Sequence, residues 1–310
     1  MDEFKNENCP WWGDLDSNGY CVIDGVVSRK DCRRLRDGIV DCFDTAGWRN
    51  ARGKWDLPRN CHGIFQGFGV GHLLEVWEAR KLCKKVFQSL WDTEQLLCSF
   101  DGMSFVPEGK NWKDVDATWY HIDQGVEKRG LRCIQGLLTL NDMRRTDATF
   151  SVVPGTHRLH DDFSETFKHA DLAAQRDFLR MGTPKHDPLK TWKFYTAKGC
   201  APVRVSAKAG SMVLWDSRCV HCNVPPVSTP GQRERMVVYV CMLPKSECSA
   251  HELARKAAHF NAGTMTSHWP YPVTAFCDQV RNADDWARNI PVKFEHLKRD
   301  EQVCSLAGLL

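Results

Sequence analysis

The chain has 310 residues, 42% of them hydrophobic, with 42 Lys and Arg against 39 Asp and Glu and a net charge of +3. That balance gives no global field for nucleic acid or an anionic membrane, and the basic doublets Arg33-Arg34, Lys84-Lys85 and Arg144-Arg145 stand isolated. No apolar leader opens the chain, no run of 18 apolar residues occurs, and fifteen cysteines are scattered along it, so reduced thiols in a cytoplasmic, membrane-free protein are expected.

Residues 18–47, "NGYCVIDGVVSRKDCRRLRDGIVDCFDTAG", predict a short strand, a turn and a helix. Ser28 is the N-cap with Asp31 three residues on, Cys32, Leu35, Ile39, Cys42 and Phe43 recur at helical spacing, and Gly47 is the stop. A second amphipathic helix is expected from His72 to Leu90, burying Leu73, Val76, Trp77, Val86 and Leu90.

From residue 95 the texture changes to short β-type runs divided by Gly, Pro and Asp turns. They are "LLCSF" (96–100), "ATWYH" (117–121), "CIQGLLTL" (133–140), "TFSVV" (149–153), "PVRVSA" (202–207), "SMVLWD" (211–216) and "RMVVYVCM" (235–242). Many short punctuated strands point to a mainly β barrel or jelly roll with flanking helices rather than to βαβ units. One domain over 1–310 is expected: a helical N-terminal part (26–92), a barrel (95–245) and a helical tail (246–310). The charged, helix-compatible segment 158–200, with "LAAQRDFLRM", is expected as an insertion over one end of the barrel.

Within "WYHIDQG", His121 and Asp123 are two apart, and in a strand they share a face. That is either a surface ion pair or two of the three ligands of a mononuclear non-haem iron site, which needs two histidines and one carboxylate. Of the twelve histidines, His221 is the best third ligand because it ends the apolar run "GSMVLWDSRCVH". His157 ("PGTH") and His268 ("SHWP") follow turns and rank below it, as rim or structural residues. The open positions suit a 2-oxoacid and dioxygen. The far carboxylate of 2-oxoglutarate then needs a buried cation, for which "RERMVVYV" offers Arg233 and Arg235. Cys219 and Cys222 form C-x-x-C, but "NVPPV" after them cannot open the helix a redox motif wants, and no second pair completes a zinc site.

The chain resembles the phytanoyl-CoA dioxygenase-like family of iron(II)/2-oxoglutarate oxygenases. The likeness runs through "NGYCVIDGVVSRKDCRRLRDGI", "WYHIDQG", "CIQGLLTLNDMRRTDATFSVVPGTH", "GSMVLWDSRCVHCNVPP" and "RERMVVYVCMLP". It implies a double-stranded β-helix of the jelly-roll or cupin type, iron(II) on His121, Asp123 and His221, and 2-oxoglutarate on Arg235, or on Arg233 in a shifted register. Asn223 and Gln135 would line the cosubstrate pocket. Asp123 favours hydroxylation over halogenation, since halogenating relatives put a small residue there. The reaction implied consumes O2 and 2-oxoglutarate and hydroxylates a C–H bond of a small organic molecule. The alternative is a non-catalytic metal-binding barrel. Substrate choice is expected in the loops 62–72 and 99–105 and the 158–200 insertion, with Gln66 and Asp101 as polar contacts.

Overall fold

In the computed structural model, which describes residues 6–110, 119–167, 177–182, 186–276 and 283–310, the first long helix begins at its cap. Helix α1 (Trp12–Asn18) and strand β1 (Tyr20–Ile23) precede it. Ser28 accepts a hydrogen bond from the Asp31 backbone N–H and donates its hydroxyl to the Asp31 carboxylate at 2.6 Å. That satisfies one orphan donor of helix α2 (Arg29–Thr45), whose Cys32, Leu35, Ile39 and Phe43 are buried. Gly47, at φ +72°, supplies the left-handed residue just past its end.

The strands form two antiparallel sheets. The major sheet runs β1, β10 (Met212–Asp216), β6 (Ile134–Thr139), β12 (Arg235–Pro244), β4 (Met103–Val106) and β2 (Ile64–Phe65), with β3 (Leu96–Cys98) also on β12. The minor sheet runs β8 (Leu179–Arg180), β5 (His121–Ile122), β11 (His221–Val224), β7 (Thr149–Val152) and β9 (Val203–Arg204). From β4 to β7, and again from β10 to β12, the chain passes between the sheets at every step. This is the double-stranded β-helix, and it brings residues a hundred positions apart to one end.

Helix α3 (Leu74–Trp91) lies against β12 and α2. Between these helices and the major sheet sits the main core, where Phe43 stacks on Trp48 at 4.4 Å and Phe65 on Trp48 at 5.2 Å. The helices Ala250–Asn261 and Glu301–Ala307 close it from the tail. None of the described helices is long and apolar enough to cross a membrane.

One expectation needs revision, and the insertion divides in two. Asp177, Phe178 and Arg180 stand on the wall of the cavity between the sheets, whereas its helices pack away from it. Helix α4 (His160–Phe167) and helix α5 (Thr191–Thr196) bury Phe163, Trp192 and Tyr195 with Tyr120, Ile122, Val220 and Val224, residues in or next to β5 and β11 that alternate with the histidines. "LAAQRDFLRM" is not a helix where it is described. Leu179–Arg180 is strand β8, pairing with β5, because Leu179 has an apolar core to enter and the sheet edge beside His121 supplies hydrogen-bond partners. Residues 172–176 of that segment, like 117–118 of "ATWYH", lie outside the described residues.

Gly102 marks the tightest approach in the major sheet. A Cβ there would lie 1.7 Å from the Phe65 carbonyl oxygen, which is backbone and cannot swing away. Gly102→Ala is expected to destabilise the protein by about 3 kcal/mol or more, by forcing β2 off β4. Denaturant unfolding at constant m-value measures it.

Candidate active site

The site is built by register. β11 and β5 are antiparallel neighbours in which His221 stands opposite His121, and the two rings are 4.3 Å apart. Asp123 lies just past β5, where its backbone N–H donates to the Ser217 carbonyl at 2.9 Å. His121 Nε2 is 3.7 Å from Asp123 Oδ1, and His221 Nε2 is 3.3 Å from Asp123 Oδ2. All three side chains are buried, and one atom of each lies within 4.8 Å of the others. No other metal-capable group of three occurs among the described residues.

The hydrogen bonds behind the rings choose the tautomer. His121 Nδ1 is 3.0 Å from the Trp119 carbonyl and His221 Nδ1 is 2.9 Å from the Cys219 carbonyl. A carbonyl only accepts, so each Nδ1 holds the proton and each Nε2 presents a lone pair to the same point. Burial, with His221 alongside, pushes His121 down to about 3, which keeps the ring neutral as a ligand must be. Burial alone would raise Asp123, but the imidazoles of His268, His121 and His221 outweigh it and hold the carboxyl below its ordinary range. Gln135 Nε2 donates to Asp123 Oδ2 at 2.9 Å and fixes the carboxylate.

These residues line a cavity of about 590 Å³ between the sheets. Arg235 opens β12 and is 1% exposed. Its guanidinium donates to the Ser104 hydroxyl and, at 3.0 Å, to Asn223 Oδ1, while Asn223 Nδ2 donates to the Tyr239 hydroxyl at 3.0 Å. Every one of those partners is neutral, Arg235 Nε has no partner, and burial pulls its pKa down. A buried cation without a counter-charge among the described residues calls for an anionic ligand. Arg233 answers no such need. It lies in the turn before β12, its side chain is 42% exposed, and it sits 3.4 Å from the carboxylate of Asp147, whereas Arg235 is buried and bonded to the cavity residue Asn223, which argues against Arg233 as the anchor.

Trp119 stands on the cavity wall, whereas its neighbour Tyr120 is buried in the core on the other side. Its indole stacks between His62, at 4.1 Å, and His121, at 4.5 Å, and donates to the Asn223 carbonyl at 2.9 Å. Gln66 and Asp101 both stand on the cavity wall, with Gln66 Nε2 donating to Asp101 Oδ1 at 3.2 Å. His157 is remote from this cavity, bonded to the Asp16 carbonyl and lining a separate, smaller one. His268 is on the wall, with Nδ1 4.0 Å from Asp123 Oδ2. Cys219 and Cys222 form no disulfide with each other, and burial pushes Cys219 up to about 12, the reverse of a reactive thiol.

Sequence reasoning missed Tyr239, Phe178 and the tail residues Trp269 and Phe276 on this wall. Tyr239 was findable, since it lies four residues after Arg235 on one strand and so shares its face. Trp269 and Phe276 carry no signal, because only the tertiary return of the tail brings them here.

A jelly roll carrying a buried His-Asp-His set, with a buried arginine that has no acidic partner among the described residues, has the make-up of a non-haem metal oxygenase. The phytanoyl-CoA dioxygenase (PhyH) family model matches residues 15–229. "Ava biosynthesis cluster protein O" from Aspergillus versicolor is 30% identical over 275 residues, covering 84% of this chain and 86% of the relative. The chain belongs to the phytanoyl-CoA dioxygenase family. In structure it is similar to GlcNAc Inducible Gene 2, GIG2 (DUF1479), from Candida albicans, with a TM-score of 0.61 at 16% identity over 99% of this chain and 78% of that one. This likeness speaks for the fold alone. The family's cofactors are iron(II) and 2-oxoglutarate, and both fit the residues present. Two neutral imidazoles and a carboxylate are the donor set iron(II) takes, and Arg235 is the cation a dicarboxylate needs.

Proposed function

We propose that this protein hydroxylates an unactivated C–H bond of a small organic molecule, consuming O2 and 2-oxoglutarate and releasing succinate and CO2. The observation that carries the reading is the pairing of the buried His121, Asp123 and His221 set on one cavity wall with a buried arginine that is bonded to the wall residue Asn223 and has no acidic partner among the described residues. When bound, iron(II) with 2-oxoglutarate and dioxygen supplies an oxidant able to cleave such a bond. The chain's residues do the rest. His121, Asp123 and His221 would hold the metal, with Gln135 fixing the carboxylate, and Arg235 would hold the far carboxylate of 2-oxoglutarate with Asn223 and Tyr239 keeping the guanidinium in place. Asp123 fills the position that a halide would need, which supports hydroxylation. Gln66 and Asp101 stand where a substrate would be read.

A cavity of about 590 Å³ suits a small organic molecule, and the Aspergillus relative is named for a biosynthesis cluster. A non-catalytic barrel would be favoured by a missing ligand or a missing arginine, and neither is missing. Purified protein given iron(II), 2-oxoglutarate and oxygen is expected to form succinate slowly alone and faster with its substrate, with one product hydroxyl per succinate. A metabolite screen in which stimulated turnover yields a product gaining no oxygen would replace hydroxylation with another oxidation.

A further inference from the structure

The cavity holds one carboxylate that neither the metal set nor a protein cation uses. Asp101 is 5% exposed and lies on the cavity wall. Its Oδ1 accepts from the Gly102 backbone N–H at 2.6 Å and from Gln66, both neutral donors. Its Oδ2 accepts no hydrogen bond among the described residues and is not among the sealed-off buried atoms, so it opens to the cavity. Arg80, fully buried behind it, donates to the main-chain oxygens of Gly71 and Asp101 at 2.7 and 2.6 Å, not to the carboxylate. On the cavity side its electrostatic neighbours are His268 and Tyr239. Burial outweighs all of these neighbours and raises the Asp101 pKa, as expected of a carboxylate lacking a counter-charge.

The loaded site would not provide one. Iron(II), the 2-oxoglutarate dianion, Asp123 and Arg235 would cancel one another. Of the other charged residues on the wall, Asp177 is paired with Lys128 at 2.7 Å and Arg180 stands beside His121 on the minor sheet, which leaves Asp101 as the carboxylate without an ion-pair partner among the described residues. The rings of Trp119, Phe178, Trp269 and Phe276 stand on the same wall. An acidic oxygen among aromatic faces is the environment that a desolvated organic cation prefers, because the ring faces and the carboxylate both attract it.

We propose that the substrate carries a protonated nitrogen, of ammonium or guanidinium type, which Asp101 receives at Oδ2, on a mainly apolar body lying against the aromatic wall. The inference rests on the dioxygenase reading and narrows its substrate class. The cation is the handle and the apolar body presents the C–H bond, so misplacement of the handle by about 1 Å would lower the rate about a hundredfold.

The test uses three probes that share one ring and differ in charge: tryptamine, 3-ethylindole and indole-3-propionate. A matching set is built on a phenyl ring. Binding to the protein loaded anaerobically with iron(II) and 2-oxoglutarate is measured by equilibrium dialysis, and the visible charge-transfer absorbance of iron-bound 2-oxoglutarate is read in the same samples. The cationic member is expected to bind about tenfold tighter than the neutral one, with the anion weakest. Asp101→Asn, which keeps the acceptor for Gly102 and Gln66, is expected to erase that preference. Asp101→Ser serves if the asparagine variant does not fold. Equal binding of cation and neutral isostere, a preference that survives the substitutions, or no binding by any member overturns the proposal while the absorbance band leaves the dioxygenase reading standing. Absence of the band overturns that reading, and the substrate class with it.

Discussion

His121→Ala, Asp123→Ala and His221→Ala are each expected to weaken iron(II) binding by more than about a hundredfold and to abolish 2-oxoglutarate turnover. The size follows from comparison with the residues behind the ligands. Partners that merely orient a ligand typically contribute tenfold to a hundredfold in metal affinity, and removal of one ligand in three must exceed that. Gln135, which donates to Asp123 at 2.9 Å, supplies the graded control. Gln135→Leu is expected to lower affinity by about tenfold, with turnover retained at saturating iron. His157→Ala is expected to leave iron binding unchanged, because His157 bonds to the Asp16 carbonyl beside a different cavity. Metal content after dialysis against graded iron(II) reads all five. Full iron binding in His221→Ala together with its loss in His268→Ala would exchange the third ligand, since His268 also stands near Asp123.

The legible part of this protein was whatever depends on local spacing or on strand alternation. The α2 cap at Ser28, the buried stripe of α3 and most of the strand positions follow from periods of 3.6 and 2, which the chain writes into its own order. The same period places His121 beside Asp123. What brings His221 opposite His121 is the alternation of strands between two sheets; its place at the end of an apolar run marked it as the best third ligand, and family resemblance supplied the pairing of the strands. Contacts made by irregular segments were not legible at all. Phe178 packs on the His121 ring at 4.7 Å from a segment that reads as helix, because tertiary pairing with β5 overrides its propensity. The tail pocket wall of Ser267, His268 and Trp269 hangs on bonds such as Ser267 N–H to the Thr274 carbonyl at 2.8 Å, which no periodicity announces.

Arg235→Met is expected to weaken 2-oxoglutarate by roughly 3–5 kcal/mol, at least about a hundredfold in Kd, because the buried carboxylate loses its charge partner. The same substitution should not destabilise the protein in the absence of cosubstrate. Arg235 is a buried guanidinium held by the neutral groups Ser104 and Asn223, so its desolvation is uncompensated until an anion arrives. A methionine of similar length removes that cost and keeps the packing. Stability in the absence of 2-oxoglutarate should therefore hold or rise, whereas the gain on adding 2-oxoglutarate to the iron-loaded protein should vanish. For the native protein that gain is about 2.7 kcal/mol at a hundredfold excess over Kd. Arg235→Lys should fall between, since a lysine keeps the charge but not the planar fork that binds a carboxylate through two hydrogen bonds. Arg233→Ala should change 2-oxoglutarate affinity by no more than about twofold, because its partly exposed side chain is occupied by Asp147 and surface charges of this kind contribute little. Thermal unfolding with and without 2-oxoglutarate, run on all four proteins, separates the two arginines. A lost ligand response in Arg233→Ala with a native response in Arg235→Met would move the anchor to the turn before β12.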